Sequence, residues 1–238
     1  MKQTITKISL LILIAFCIQE VFAQEGPSKD WDATKIKGTR QETYQIYNGK
    51  PNLLDNWCLG KVQFTNGETL DSLYLKFSSY RDELIYFNKH INTQIRIDKM
   101  NVSSFSFTDE FGQVHLFRKQ KFDNSDKSER YFEVLDESEP NLLCYRKVNL
   151  SGTSPYYDQR GTLKNMAYLN EYLYYFYSPQ KGYAAVKPNR TSLLSRFDKE
   201  SQRPIKKLLR KNNILIHDEF SFVMAWQTIE KHGFKVMF

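Results

Sequence analysis

Asn66-Gly67 sits between two segments that alternate apolar and polar side chains, and no other feature limits the fold of this chain as much. A two-residue type I′ turn needs positive φ at both central positions, which Asn-Gly tolerates better than other pairs. Before it, Val62 and Phe64 alternate with Lys61, Gln63 and Thr65. After it, Leu73, Leu75 and Phe77 alternate with Tyr74 and Lys76. Period two on both sides of a turn predicts a hairpin with one buried face.

The pattern repeats across residues 57–117. Arg81-Asp82-Glu83 is a polar break, Leu84-Ile85-Tyr86-Phe87 is an apolar run too short for a helix, and Ile91, Thr93, Ile95 and Ile97 alternate with polar residues. Phe105 and Phe107 flank Ser106, Asp109-Glu110-Phe111-Gly112 makes the next turn, and Val114 and Leu116 alternate with His115 and Phe117. Residues 131–135 and 142–148 read as two further strands. Residues 123–129 between them read as a solvated tip whose acid spacing lacks the glycine of a calcium loop. Gly152, Pro155 and Gly161 mark residues 151–161 as a linker. The tyrosine-dense residues 171–177 read as another strand, its rings either packed in the ordinary way or offering a stacking platform for sugar. Short strands about ten residues apart predict an antiparallel meander that closes into a sandwich or small barrel.

Lys2 and Lys7, the apolar residues 8–17 and the small-residue end Val21-Phe22-Ala23 compose a secretory signal peptide over residues 1–23. Its apolar run falls well short of the roughly 20 residues a helix needs to cross a bilayer. The bulky Phe16 argues against lipid attachment at Cys17. The expectation is an exported protein of the periplasm or outer envelope, with a polar leader over 24–50, a β domain over 51–186 and a helical segment over 187–238. Export permits a disulfide between Cys58 and Cys144. Two separate buried thiols fit the sequence equally.

From Thr191 the apolar period becomes helical. Leu193, Leu194 and Phe197 follow a Thr191 cap. Ile205, Leu208 and Leu209 follow a Ser201 cap and stop at Asn212-Asn213. Phe222, Val223, Trp226 and Ile229 follow Asp218 and stop at Gly233. Three short amphipathic helices need the sheet or one another, so the fold class is α+β, mainly β with three C-terminal helices packed on it.

The chain carries a formal charge of +7, and its excess is local. Lys187, Arg190, Arg196, Lys199, Arg203, Lys206, Lys207, Arg210 and Lys211 face only Asp198 and Glu200, which gives residues 187–211 a net +7 by themselves. One reading is a solvated helix face opposite an apolar stripe. The other is a docking surface for an envelope protein, an anionic glycan or lipid headgroups, with Arg196, Lys199, Arg203, Lys206, Lys207, Arg210 and Lys211 as the binding residues.

No catalytic signature accompanies this. His90, His115, His217 and His232 have no metal-ligand spacing, and there is no nucleophile elbow, P-loop or dinucleotide fingerprint. His217-Asp218-Glu219 is the nearest thing to a cluster, and its acids suit a helix start. No cofactor, metal or nucleic-acid partner is expected, nor any transmembrane helix. Two alternatives stand beside the docking module: a carbohydrate-active or other hydrolytic enzyme using loop carboxylates, and a small-ligand carrier with a β-barrel cavity. The ending Lys231-x-Gly233-x-x-Val236-x-Phe238 matches the terminal strand signal of outer-membrane barrels, but the helical residues before it oppose that fold.

The Ala23-Gln24 junction, the Leu59-Gly60-x-Val62-x-Phe64-x-Asn66-Gly67 hairpin and the basic run Ile205-Lys206-Lys207-Leu208-Leu209-Arg210-Lys211-Asn212-Asn213 together resemble exported β-rich proteins of the Bacteroidota type. The resemblance implies export and a β fold; no activity or site residue comes with it. In such proteins Asp71-Ser72-Leu73 also matches a short acceptor pattern for periplasmic O-glycosylation.

Overall fold

The expected hairpin forms, through a different turn. Strand Cys58–Phe64 pairs with strand Thr69–Ser78, but of the Asn-Gly pair only Gly67 takes positive φ, at 88°. Gly67 N–H donates to Phe64 O at 3.0 Å and Phe64 N–H donates to Glu68 O at 2.8 Å. That is a three-residue loop closed by a glycine bulge, not a type I′ turn. Asn66 contributes through its side chain, whose Oδ1 accepts from Glu68 N–H at 3.0 Å.

The computed structural model describes residues 36–42, 44, 47–122 and 129–238. The proposed signal peptide with Cys17, most of the leader and the tip at 123–128 lie outside the described residues. The strands are β1 (Gly38–Arg40), β2 (Cys58–Phe64), β3 (Thr69–Ser78), β4 (Glu83–Asn88), β5 (Thr93–Ile97), β6 (Val102–Thr108), β7 (Val114–Lys121), β8 (Glu129–Asp136), β9 (Asn141–Tyr157), β10 (Leu163–Ser178) and β11 (Gly182–Val186). Three helices follow: α1 (Arg190–Leu194), α2 (Lys199–Lys211) and α3 (Glu219–Glu230).

The strands form one antiparallel sheet in the order β1-β5-β4-β3-β2-β6-β7-β8-β9-β10-β11. This is the mainly β, α+β architecture expected, with the three helices at its C-terminal end. The strand order is that of an open sheet with edges β1 and β11, and it shows no closure into a sandwich or barrel.

The sheet is strongly curled. Phe77 on β3 and Phe117 on β7 have ring centroids 4.7 Å apart although β2 and β6 lie between them. A flat sheet would separate those strands by about 14 Å. The rings of Phe77, Phe105, Phe107, Phe117 and Tyr131 fill the concave face. Val148 N–H on β9 also reaches Ser79 O, just past β3, at 3.2 Å.

Register carries this face across the rest of the sheet. Phe117 stands opposite Glu133, Glu133 opposite Cys144, Cys144 opposite Tyr174 and Tyr174 opposite Val186. There Leu142 and Phe176 pack against Leu193, Phe197, Ile205, Phe222 and Trp226 of the helical segment. The other face of β8–β11 carries a second cluster, in which Phe132, Leu143 and Tyr175 meet Phe122, Tyr177 and Tyr183. The tyrosine-dense strand therefore divides its rings: Tyr172 and Tyr174 lie toward the helices, Tyr175 and Tyr177 away from them.

Several local expectations need correction. Residues 151–161 are not a linker, since β9 runs to Tyr157 and a turn closed by Asp158 N–H to Thr162 O at 2.9 Å leads into β10. β8 accompanies β9 only as far as Cys144, and the β9–β10 register shifts beside Pro155, so the proline displaces no ladder bond. The caps of α1 and α2 are Asn189 and Asp198, each three residues ahead of the serine whose N–H it accepts, rather than Thr191 and Ser201. Asp218 caps α3 as expected, in a capping box with Ser221. The leader contributes β1, paired with β5. Ile91 is exposed in a turn rather than on a strand. Asp82, in the expected polar break, is buried, bonded to Lys99 and accepting from Tyr131 N–H at 3.3 Å. Residues 234–238 form no strand.

Candidate functional site

α2 places its charge by periodicity alone. Ile205 and Leu209 are buried and Leu208 half-buried, which fixes the inward side of the helix. At about 100° per residue, Lys199, Arg203, Lys206, Lys207, Arg210 and Lys211 then all fall within an arc of about 140° opposite Ile205. All six are exposed. Among the described residues none of them pairs with an acid. The helix ends suit this load. The Asp198 cap and Glu200 sit at the N-terminus, and Arg210 and Lys211 in the last turn, each favourable to the helix dipole. Ser201 bonds hold the Asp198 carboxyl below the ordinary range. Arg196 is the one predicted binding residue that stands apart. It is half-buried before α2, its carbonyl accepts from Met237 N–H at 2.8 Å, and its Nε is buried with no partner.

A second constellation lies inside the fold, and the sequence reading missed it. Glu133 of β8 and Arg146 of β9 are 2 % and 5 % exposed and bonded to each other. On one side Glu133 meets His115 Nδ1 of β7 at 2.6 Å, and His115 Nε2 lies 3.4 Å from Asp109 of the β6–β7 turn. On the other, the Arg146 guanidinium forks onto Glu219 of α3 with two 2.7 Å bonds, and Tyr174 O–H donates to Glu219 Oε2 at 2.8 Å. The Tyr172 ring lies 4.7 Å from the Arg146 guanidinium. Charges alternate along the chain, each partnered, so the network bolts α3 to the sheet. Glu219 belongs to the noted His217-Asp218-Glu219 triplet. His217 and Asp218 remain exposed outside the network.

Burial pushes the Glu133 carboxyl up, but His115 and Arg146 outweigh it and hold it below the ordinary glutamate value. Burial pushes His115 down, and Glu133 with Asp109 outweighs that and raises it. A raised histidine stabilises fully below its unfolded pKa of about 6.5 and loses that contribution as pH rises through the folded value. The urea midpoint is therefore expected to fall between pH 6 and pH 9 in the parent chain and to fall less in His115→Gln. Equal slopes in the two would contradict a charged His115. Glu133 acts with the opposite sign, its contribution present above the ordinary glutamate pKa and lost as pH falls through its lowered value.

Cys58 on β2 and Cys144 on β9 are free, buried thiols, and burial raises the pKa of both. Ser72 of the acceptor pattern is exposed within β3, at a φ of 58°. Among the described residues no group of three His, Cys, Asp or Glu side chains is placed to hold a metal ion, and no helix is long and apolar enough to cross a membrane. Comparison with protein-family models, with curated proteins and with solved structures finds no match.

Proposed function

We propose that this chain is an exported, non-enzymatic module of the cell envelope that docks on an anionic surface through α2. The observation that carries the reading is the exposed arc of six cations with no acid against it among the described residues. Lysines and arginines that serve only for solubility need no common face, and intramolecular acids would quench a face not meant for a partner. Leu215, in the loop after α2, and Phe220, in the first turn of α3, are 77 % and 74 % exposed. Exposed apolar side chains beside a basic helix suit the interface of an anionic lipid layer. Export rests on the basic start, apolar run and small-residue end of residues 1–23 and on the resemblance to exported Bacteroidota-type proteins.

The test reverses Lys206, Lys207, Arg210 and Lys211 to Glu together. Each basic residue near an anionic membrane contributes about 1 kcal/mol, so binding to phosphatidylglycerol-containing vesicles is expected to weaken more than about a hundredfold. Binding by the parent chain should also weaken steeply as salt rises. Co-sedimentation unchanged by the reversal, with native circular dichroism, would overturn the proposal.

A further inference from the structure

Two clefts of about 690 and 580 Å³ meet over Ala185: the first lies on the face of β10 and β11 turned away from the helices, and the second continues round the β11 edge to Tyr172, Tyr174, Ser192 and Arg196 beside α1. Both are lined by Tyr175 and Ala185, so together they make one groove along the edge strand. The groove exists because Ala185, directly opposite Tyr175, is too small to fill the space between its larger neighbours. Its aromatic floor is preorganised. The Tyr177 and Tyr183 rings are half-buried with centroids 4.7 Å apart, and Tyr183 O–H donates to Gln120 Oε1 at 2.8 Å.

The polar lining has one sign. Lys121 and Lys181 border one cleft, Lys187 and Arg196 the other, and among the described residues neither is lined by a carboxylate. Glu171, further along this face of β10, is committed to Lys147 at 2.8 Å. Arg196 Nε is buried without an acceptor, although a guanidinium offers five donors in a fixed fork that suits a carboxylate. Gln180 and Asn189 add uncharged hydrogen-bonding groups.

Flat rings that can take the C–H face of a pyranose, amides that can bond hydroxyls, and cations without counter-charge define one ligand chemistry. We propose that this groove binds an acidic oligosaccharide, with sugar rings on Tyr177 and Tyr183 and a uronate carboxylate at Arg196 and Lys187. The site is independent of the α2 face.

The test is calorimetric titration of the intact protein with a galacturonate hexasaccharide, with cellohexaose as the uncharged control. The acidic hexamer is expected to bind. Ala185→Phe, which fills the groove from an exposed position, and Lys187→Glu should each weaken it at least about tenfold. Cellohexaose should bind at least about tenfold more weakly than the acidic hexamer. The fourfold α2 reversal should leave groove binding unchanged. Absence of binding, or equal affinity for cellohexaose, would overturn the proposal. So would loss of binding in the α2 variant with full retention in Ala185→Phe, which would assign the acidic glycan to the helix. Lys187→Glu keeps the test decisive should Ala185→Phe fail to fold.

Discussion

Arg146→Met is expected to destabilise the protein by about 3–5 kcal/mol, because it removes one of the two cationic partners of the Glu133 carboxylate in a nearly dry site and leaves only His115 against it. The side chain it removes also clamps Glu219, so the bond between sheet and α3 is lost with it. A buried ion pair has little net value over an apolar pair of the same size, whereas half of one is costly. The double variant Glu133→Gln with Arg146→Met is accordingly expected to recover at least half of the loss. Chemical denaturation of the three proteins measures both numbers. A single variant within about 1 kcal/mol of the parent would show that water reaches Glu133 and that the network is not a closed one.

Trp226→Ala carries an expected loss of about 3–5 kcal/mol by a different route. Trp226 is fully buried between α3 and the sheet, its ring 4.5 Å from that of Phe176 on β10, and its removal opens a cavity in the cluster that joins the helices to the strands. The helices are too short to persist without that packing, so far-UV helical signal should weaken together with stability. Trp226 Nε1 is buried without an acceptor. Trp226→Phe removes that orphan donor and keeps most of the ring, so its cost should stay below about 1.5 kcal/mol. A Phe variant as damaged as the Ala variant would mean that the indole nitrogen has a partner in solution.

What the sequence disclosed was what a short window encodes. Alternation at Val62, Phe64, Leu73, Leu75 and Phe77 gave the correct buried face, because side-chain direction in a strand depends only on parity. The turn between them was misread because Asn-Gly serves two loop closures, and choosing between them depends on how the flanking strands pair. Pro155 with two glycines looked like a linker; that a proline can sit in β9 follows from β8 stopping short, which is a property of a different strand. The cationic face of α2 was legible in outline, since one helix sets its own periodicity. Whether acids from elsewhere neutralise it was not.

The buried network illustrates the same limit more sharply. His115, Glu133, Arg146 and Glu219 come from three strands and a helix, and each pairing lies 13 or more residues apart in the chain. One signal was available. Glu133 falls on the inward parity of Tyr131, and Arg146 on that of Cys144 and Val148. A charged residue on the buried side of an otherwise apolar strand requires a partner of opposite sign, which is enough to look for the pair.

The docking account stands or falls on which surface meets the anionic layer. Lysine-acetylation footprinting of the parent protein, free and bound to vesicles of phosphatidylglycerol and phosphatidylcholine, addresses that residue by residue. The account predicts that Lys199, Lys206, Lys207 and Lys211 lose reactivity on binding while Lys61 and Lys164, on strands β2 and β10, keep theirs. Undiminished labelling of the four α2 lysines in the bound state would contradict it.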